Sequence, residues 1–282
     1  MRIHEVLARA SQFTVPRWRA ARDEGREEEM RLWHYVDEHI SFINGTGQAY
    51  QFEDYLEGIA PSPRPYVSAA LGASGDATSV KAMDLILKAL DETAEPEQKQ
   101  LALILIGLLD FMADTEQVDD FEDYFKNRLE YAPLAIASFT TRDEARAWLD
   151  GLAEPPSPAR ILIGDEYHQL WCSREDGTRD ISRDYILEPY LEALTARGLP
   201  PTMPSFDTRL QAEEWLTNHP ATPFAFVSIA GEHYLAVRHK RLTRYTFHHV
   251  ASTLKEWEEE KKRFAERQRE LDAEYGGSGT GE

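Results

Sequence analysis

The sequence predicts a mixed α+β protein. An all-helical N-terminal module over 1–132 is followed by a tandem duplicated β-α-β-β-(β)-α unit, over 133–200 and 201–268. The strands are expected to form an antiparallel or mixed sheet with helices packed on it, and 269–282 to be a charged helix end and a disordered tail. Three observations predict this. Helical periodicity dominates the N-terminal half. Strand-like runs then alternate with short amphipathic helices. One phrase is also written twice, as SFTTRDEARAWL over 138–149 and SFDTRLQAEEWL over 205–216.

In the helical module, periodic patterns run over 1–13, 23–44, 79–93, 97–112 and 118–129. In the last of these, Val118, Phe121, Tyr124 and Phe125 recur at the spacing of one helix face. Gly45, Gly47, Pro61, Pro63 and Pro65 punctuate the loops. The module boundary falls near Tyr131, Ala132 and Pro133.

The doubled phrase extends at one constant offset, without a gap. Thr141 pairs with Thr208, Trp148 with Trp215, Pro156 with Pro223, Gly164 with Gly231, Tyr167 with Tyr234 and Arg174 with Arg241. Each copy opens a helix, because Thr141 with Glu144, and Thr208 with Gln211, have the capping-box spacing. The apolar face of the first helix is Ala145, Trp148, Leu149 and Leu152. These repeated tryptophans read as core residues. Pro155 and Pro156, or Pro220 and Pro223, close the helices. Strand pairs follow at 159–164 with 165–172 and at 224–231 with 232–239. The Gly164-Asp165 and Gly231-Glu232 steps suit tight turns. Flanking strands are expected at 133–139, 201–206 and 242–250, with a weaker one near 175–183. Helices over 184–198 and 251–265 end the copies.

The formal net charge is −19 and the pI about 4.9. A field of this sign repels nucleic acid and anionic lipid and attracts a cation or a basic protein. Cys172 is the one cysteine, so no intrachain disulfide can form, which fits a reducing cytoplasm. The N-terminal stretch has early charges and does not read as a secretory signal. The longest apolar run, at 101–113, is shorter than the ~18 residues a membrane helix needs. The Asn44-Gly45-Thr46 sequon has no meaning without secretion.

Several catalytic signatures are missing from the sequence: a Walker A loop, G-x-G-x-x-G, G-x-S-x-G and H-E-x-x-H. Two weaker groupings could carry chemistry. His34 and Glu38 share a helix face with His39 nearby, the residue types of a metal site or proton shuttle. His168 and Cys172 lie four apart on one face of a strand, and His233, His239, His248 or His249 could complete a zinc site. The plainer reading of both is buried, hydrogen-bonded side chains in a core. No cofactor and no metal are expected.

A third grouping interleaves acids with aromatics. DTEQVDDFEDYF covers 114–125, and QFEDYLE at 51–57 shares its Phe-Glu-Asp-Tyr string. On a helix, Asp119, Asp120, Glu122 and Asp123 would project away from the apolar side, with Tyr124 as an anchor. Glu53, Asp54 and Tyr55 would do the same on the other segment. In its acidity and in this stretch the chain resembles the acidic immunity proteins of bacterial polymorphic-toxin systems. The resemblance implies a cytoplasmic binding protein that inhibits a basic toxin, or another basic protein, by occluding its active cleft. A structural adaptor using the charged C-terminal helix, and an enzyme with an unrecognised His/carboxylate or His/Cys site, are the alternatives.

Overall fold

Apolar residues three and four apart fold the N-terminal half into six α-helices, seen in a computed structural model that describes residues 3–59, 65–72, 78–128, 131–219 and 223–276. They are α1 (Ile3–Asp23), α2 (Glu27–Thr46), α3 (Ala49–Gly58), α4 (Thr78–Glu92), α5 (Pro96–Asp114) and α6 (Val118–Lys126), with a 3₁₀ turn at Ala69–Gly72. The long apolar run becomes the buried α5, with Leu105, Leu108 and Leu109 fully covered. Helix α1 continues well beyond its expected end at Phe13, through Pro16. The proline removes one backbone donor. The helix persists because α1 lies along α2, with Phe13 packed edge-on against Trp33 at 6.1 Å. Leu129, Pro61, Pro63, Pro220 and the tail beyond Gly276, which includes most of the expected disordered end, lie outside the described residues.

The helical module has an internal correspondence of its own. One and the same step along the chain leads from Asp23 to Glu92, from Glu27 to Pro96 and from Ala49 to Val118. These residues bound the same ends of α1 and α4, α2 and α5, and α3 and α6. The sequence F-x-x-x-T-x-Q-x-x-x-F-E-D-Y occurs at 42–55 and again at 111–124. Equivalent residues play equivalent parts. Thr46 donates to the Phe42 carbonyl at 2.7 Å and Thr115 to the Phe111 carbonyl at 2.6 Å. The Gln48 and Gln117 side-chain amides, just before α3 and α6, donate to each other at 2.8 and 2.7 Å.

Period-two patterning then builds two mixed four-stranded sheets. The first has β1 (Ala137–Phe139), β2 (Ala159–Ile163), β3 (Glu166–Cys172) and β4 (Arg179–Arg183), with α7 (Arg142–Gly151) between β1 and β2 and α8 (Glu188–Thr195) after β4. The second has β5 (Ser205–Phe206), α9 (Arg209–Asn218), β6 (Phe224–Ile229), β7 (Glu232–His239) and β8 (Arg244–His249), and runs into α10 (Val250–Gly276). In each sheet the first pair is parallel and the others antiparallel. Both capping boxes form. One face of each sheet packs on its own helix: Ile161, Leu170 and Ile181 on α7, and Val227, Ala236 and Phe247 on α9. The other faces share one core, in which Leu162 and Tyr167 cluster with Leu235 and Val237. Leu187 and Leu191 of α8 and Val250 of α10 join that cluster.

The register corrects the ungapped offset. Phe139 pairs with Ile163 as Phe206 pairs with Ile229, and Ile161 with His168 as Val227 with Tyr234. The β-α start of the two units therefore matches at the step from Phe139 to Phe206. The three antiparallel strands match at a step shorter by one, from Ile161 to Val227. The link from α9 to β6 is the shorter by that one position, and a slip of one moves every side chain to the opposite face. Tyr167 faces the shared core and Tyr234 faces α9, so they are not equivalents. Nor are Gly164 and Gly231: the second turn is Ala230-Gly231, one position earlier than expected, with φ of +52° and +86°. At the shorter step the counterpart of Arg174 is Lys240, not Arg241.

Helix α10 has two halves. Val250, Leu254 and Trp257 lie against the body, and Trp257 and Lys261 each bond Glu192 of α8 at 2.8 Å. From Lys262 to Ala273 every described side chain is exposed. A chain ending at Lys261 should therefore keep its thermal midpoint within a few degrees. A chain ending at Ser252 should lose about 3 kcal/mol or more by removing Leu254 and Trp257. Thermal melts followed by circular dichroism check both.

Candidate functional site

The two Phe-Glu-Asp-Tyr turns lie where the helical module meets the sheets. In each, a fully buried phenylalanine, Phe52 of α3 or Phe121 of α6, anchors the helix. The aspartate two positions on then faces a β-unit. Asp54 receives both Nη atoms of Arg174, just after β3, at 2.6 and 2.8 Å. The guanidinium lies 4.5 Å from the Tyr50 ring centroid, with Glu154 at 3.5 Å and Glu53 at 3.6 Å. Tyr50 donates to the Cys172 carbonyl at 3.0 Å and accepts the Arg174 N–H at 3.3 Å. Asp123 receives Lys240, just after β7, at 2.8 Å, together with the Asn127 amide at 2.7 Å and the Tyr131 hydroxyl. Lys240 lies 4.8 Å from the Tyr131 ring centroid. Equivalent positions of the two helical halves thus hold equivalent positions of the two β-units. These partners keep both aspartates below the usual carboxylate range, Asp123 at about 2, chiefly through Lys240. Burial pushes Glu53 up.

This corrects the expected binding surface. Asp119 and Asp120 are exposed, as expected. Glu122 is only 5% exposed and accepts the Tyr35 hydroxyl at 2.6 Å, so it belongs to the core. Glu53, Asp54 and Asp123 are engaged by cations of the same chain. Tyr55 donates to Asp114 at 2.6 Å. Tyr124 reaches Glu38 at 3.5 Å, and burial raises its phenol to about 12. Neither tyrosine stands out as an anchor. Each instead ties its turn to the long helix of the other helical half.

His34 Nε2 lies 3.6 Å from Glu38 Oε1, but neither histidine grouping gathers a metal-ligand set among the described residues. Arg128 lies between His34 and Glu38, bonding His34 Nε2 at 2.5 Å and Glu38 at 2.9 Å. His39 turns inward, 2.8 Å from the Tyr35 carbonyl and with its ring 3.6 Å from that of Phe121. Burial lowers it to about 3. His168 and Cys172 do share a face of β3, but both are buried. Burial lowers the imidazole and raises the thiol. Among the described residues no group of three or more His, Cys, Asp or Glu could hold a metal ion, and no helix is long and apolar enough to cross a membrane.

Two features had no clear sequence signal. A cleft of about 290 Å³ opens beside the Asp54–Arg174 pair, lined by Tyr50, Glu154, Pro155, Cys172, Arg174 and Arg179 among others. Between the sheets runs a buried polar chain. The Tyr167 hydroxyl is 3.5 Å from His239 Nδ1, His239 Nε2 is 3.0 Å from Thr246 Oγ1, and that oxygen is 2.9 Å from His248 Nε2. At its rim Asp165 binds Arg209 at 2.6 and 2.8 Å. Both imidazoles are 5% exposed and therefore out of reach of a solvent-borne substrate. Burial, with Arg244 near the first ring and Arg183 and Arg209 near the second, holds His239 at about 3 and His248 at about 4. No protein-family model, curated protein or solved structure matches the chain.

Asp54→Arg or Arg174→Asp alone should lower stability by about 1 kcal/mol, and the double swap should recover most of it, as measured by a urea double-mutant cycle. The buried histidines are neutral when folded and take up protons more readily when unfolded. Their contribution to stability should therefore be lost as pH drops from about 6.5 towards 4. His248→Gln should flatten that decline in melts taken across the same range.

Proposed function

We propose that the protein is an acidic, cytoplasmic binding protein that recognises a basic protein partner and inhibits it by covering its active cleft. A toxin of the kind countered by acidic immunity proteins would be such a partner. The observation that carries this reading is the repeated use of one acid-aromatic turn to hold a basic side chain from a separate module. At Asp54 and at Asp123 a cation at a strand end is met by carboxylates and lies against a tyrosine ring. The turn is therefore a working receptor for cations. Asp54 and Asp123 stay about half exposed, at 50% and 46%. Asp119 and Asp120 extend the acidic edge one turn further along α6. The net charge of −19 speeds encounter with a basic surface.

The same correspondences support a doubled origin. The chain reads as a three-helix unit written twice, followed by a β-α-β-β-β-α unit written twice, with a later loss of one position from the second copy. The equivalent salt bridges would then be one ancestral contact retained twice. The exposed half of α10, with Phe264 and Leu271 at 47% and 48% exposure, favours a second reading as an adaptor.

A salt-stepped pull-down from native extract, with bound proteins identified by mass, tests the first reading. One basic protein should bind stoichiometrically and weaken as salt rises. Asp119→Lys with Asp120→Lys should cut its affinity about tenfold or more, largely through slower association. Capture of no basic protein even at low salt would remove the reading.

A further inference from the structure

Asp110 is a charged residue type placed where no charge is supported. It lies on α5 and is completely buried. Its Oδ1 accepts the backbone N–H of Ser68 at 2.7 Å, while its Oδ2 is buried without a hydrogen-bond partner among the described residues. Asp114, one turn along, accepts the Ser68 hydroxyl and, at 2.6 Å, the Tyr55 hydroxyl. Ser68 belongs to the segment 65–72, which crosses α5. The segment buries Leu71 to 3% exposure, and the Leu71 carbonyl accepts the Ser79 hydroxyl at 3.0 Å. The flanking Tyr66 and Val67 face solvent at 49% and 43% exposure.

The groups bearing on Asp110 are Asp114 on its own helix, the Ser68 amide on the segment and the phenol of Tyr55 on α3, which itself interacts with Tyr66. Among the described residues no cation is one of them. An ionised Asp110 would be a desolvated anion beside a second carboxylate, and its one direct donor, a single amide, does not offset that cost. A proton on Oδ2 removes the conflict and leaves the Ser68 bond on Oδ1 in place.

We propose that Asp110 is a proton-operated clasp: with the proton bound the segment 65–72 is seated on α5, and without it the segment lifts to let water reach the carboxylate. Burial, with a smaller contribution from Asp114, raises this carboxyl to about 7, so the clasp works close to neutrality. The seated state holds its proton up to about pH 7, whereas a lifted, solvated Asp110 releases it near pH 4. Opening therefore becomes easier as pH rises between those values, by about tenfold per pH unit, and levels off above about 7. The clasp stands apart from partner recognition, since none of the groups that hold its proton is one of the cation-binding aspartates Asp54 and Asp123.

Hydrogen exchange of the full-length chain, read by mass spectrometry on peptides covering 65–72 and corrected for intrinsic exchange, tests the proposal. Protection there should fall about 50-fold from pH 5 to pH 7 and only about twofold more by pH 8.5, while α2 shows no such change. Asp110→Asn should remove the pH dependence and keep the segment protected at pH 8. A wild-type profile independent of pH, or the same slope in Asp110→Asn, would overturn the clasp. If the variant does not fold, the wild-type profile decides by itself.

Discussion

The arrangement of this molecule depends on an aspartate held against a cation beside a tyrosine ring. Asp54 with Arg174, and Asp123 with Lys240, join helices early in the chain to the ends of strands far along it. Each pair is partly exposed, so neither contributes much energy alone. Their effect is on geometry. A bidentate guanidinium accepts one orientation of its carboxylate, and the ring beneath restricts the plane. With the bidentate Asp54–Arg174 pair at one position and the single Asp123–Lys240 contact at the other, the helical module is tied to both sheets. Gly47 adds a close backbone approach. At φ +74° it packs where an added Cβ would collide with Pro156, so α2 can come down beside β2 only with glycine there.

A different kind of constraint joins the two sheets. Leucine and valine supply most of their shared core, yet a file of Tyr167, His239, Thr246 and His248 runs through it. Apolar contacts alone would tolerate a slip of one sheet over the other. Hydrogen bonds in a low-dielectric interior do not, because each broken one leaves a desolvated polar group behind. The neutral state of both histidines is part of the arrangement, since burial disfavours a charged imidazole there by more than the Asp165 carboxylate at the rim favours it. The Asp165–Arg209 pair stands at the rim, where water can still screen it.

Much of the fold is legible in the sequence. The capping boxes, the strand pairs and the α+β order all follow from local rules. Helix α1 reads short because Pro16 carries a real local penalty that only the α1–α2 packing overrides. A single constant offset between the β-units fails in the strands for a physical reason: a helix tolerates an error of one position in phase, whereas a strand reverses its faces. The helical correspondence shows in the sequence as the shared pattern that ends in Phe-Glu-Asp-Tyr, whereas α1 and α4 share no such string where they meet different neighbours. The carboxylates read as a free surface because a sequence shows charges without their partners. Arg174 and Lys240 are two of 31 basic residues, and nothing local marks them as the ones that return to α3 and α6.

An acidic chain must place its few cations where they relieve the most repulsion. Its 50 acids against 31 bases leave every cation in demand, and several are placed at module contacts. Arg174 faces Asp54, Glu53 and Glu154 together, so one cation relieves the repulsion of three carboxylates. A competing basic surface would meet the same carboxylates from the solvent side without breaking this pair, because Asp54 and Glu154 keep half or more of their surface open. Under the proposed binding role, a turn that holds a cation within its own chain would need little reorganisation to meet a second one from outside. In that role the residual negative field would set how fast the second cation arrives, and the spacing of Asp119, Asp120 and Asp123 along α6 would set which arrays of cations fit.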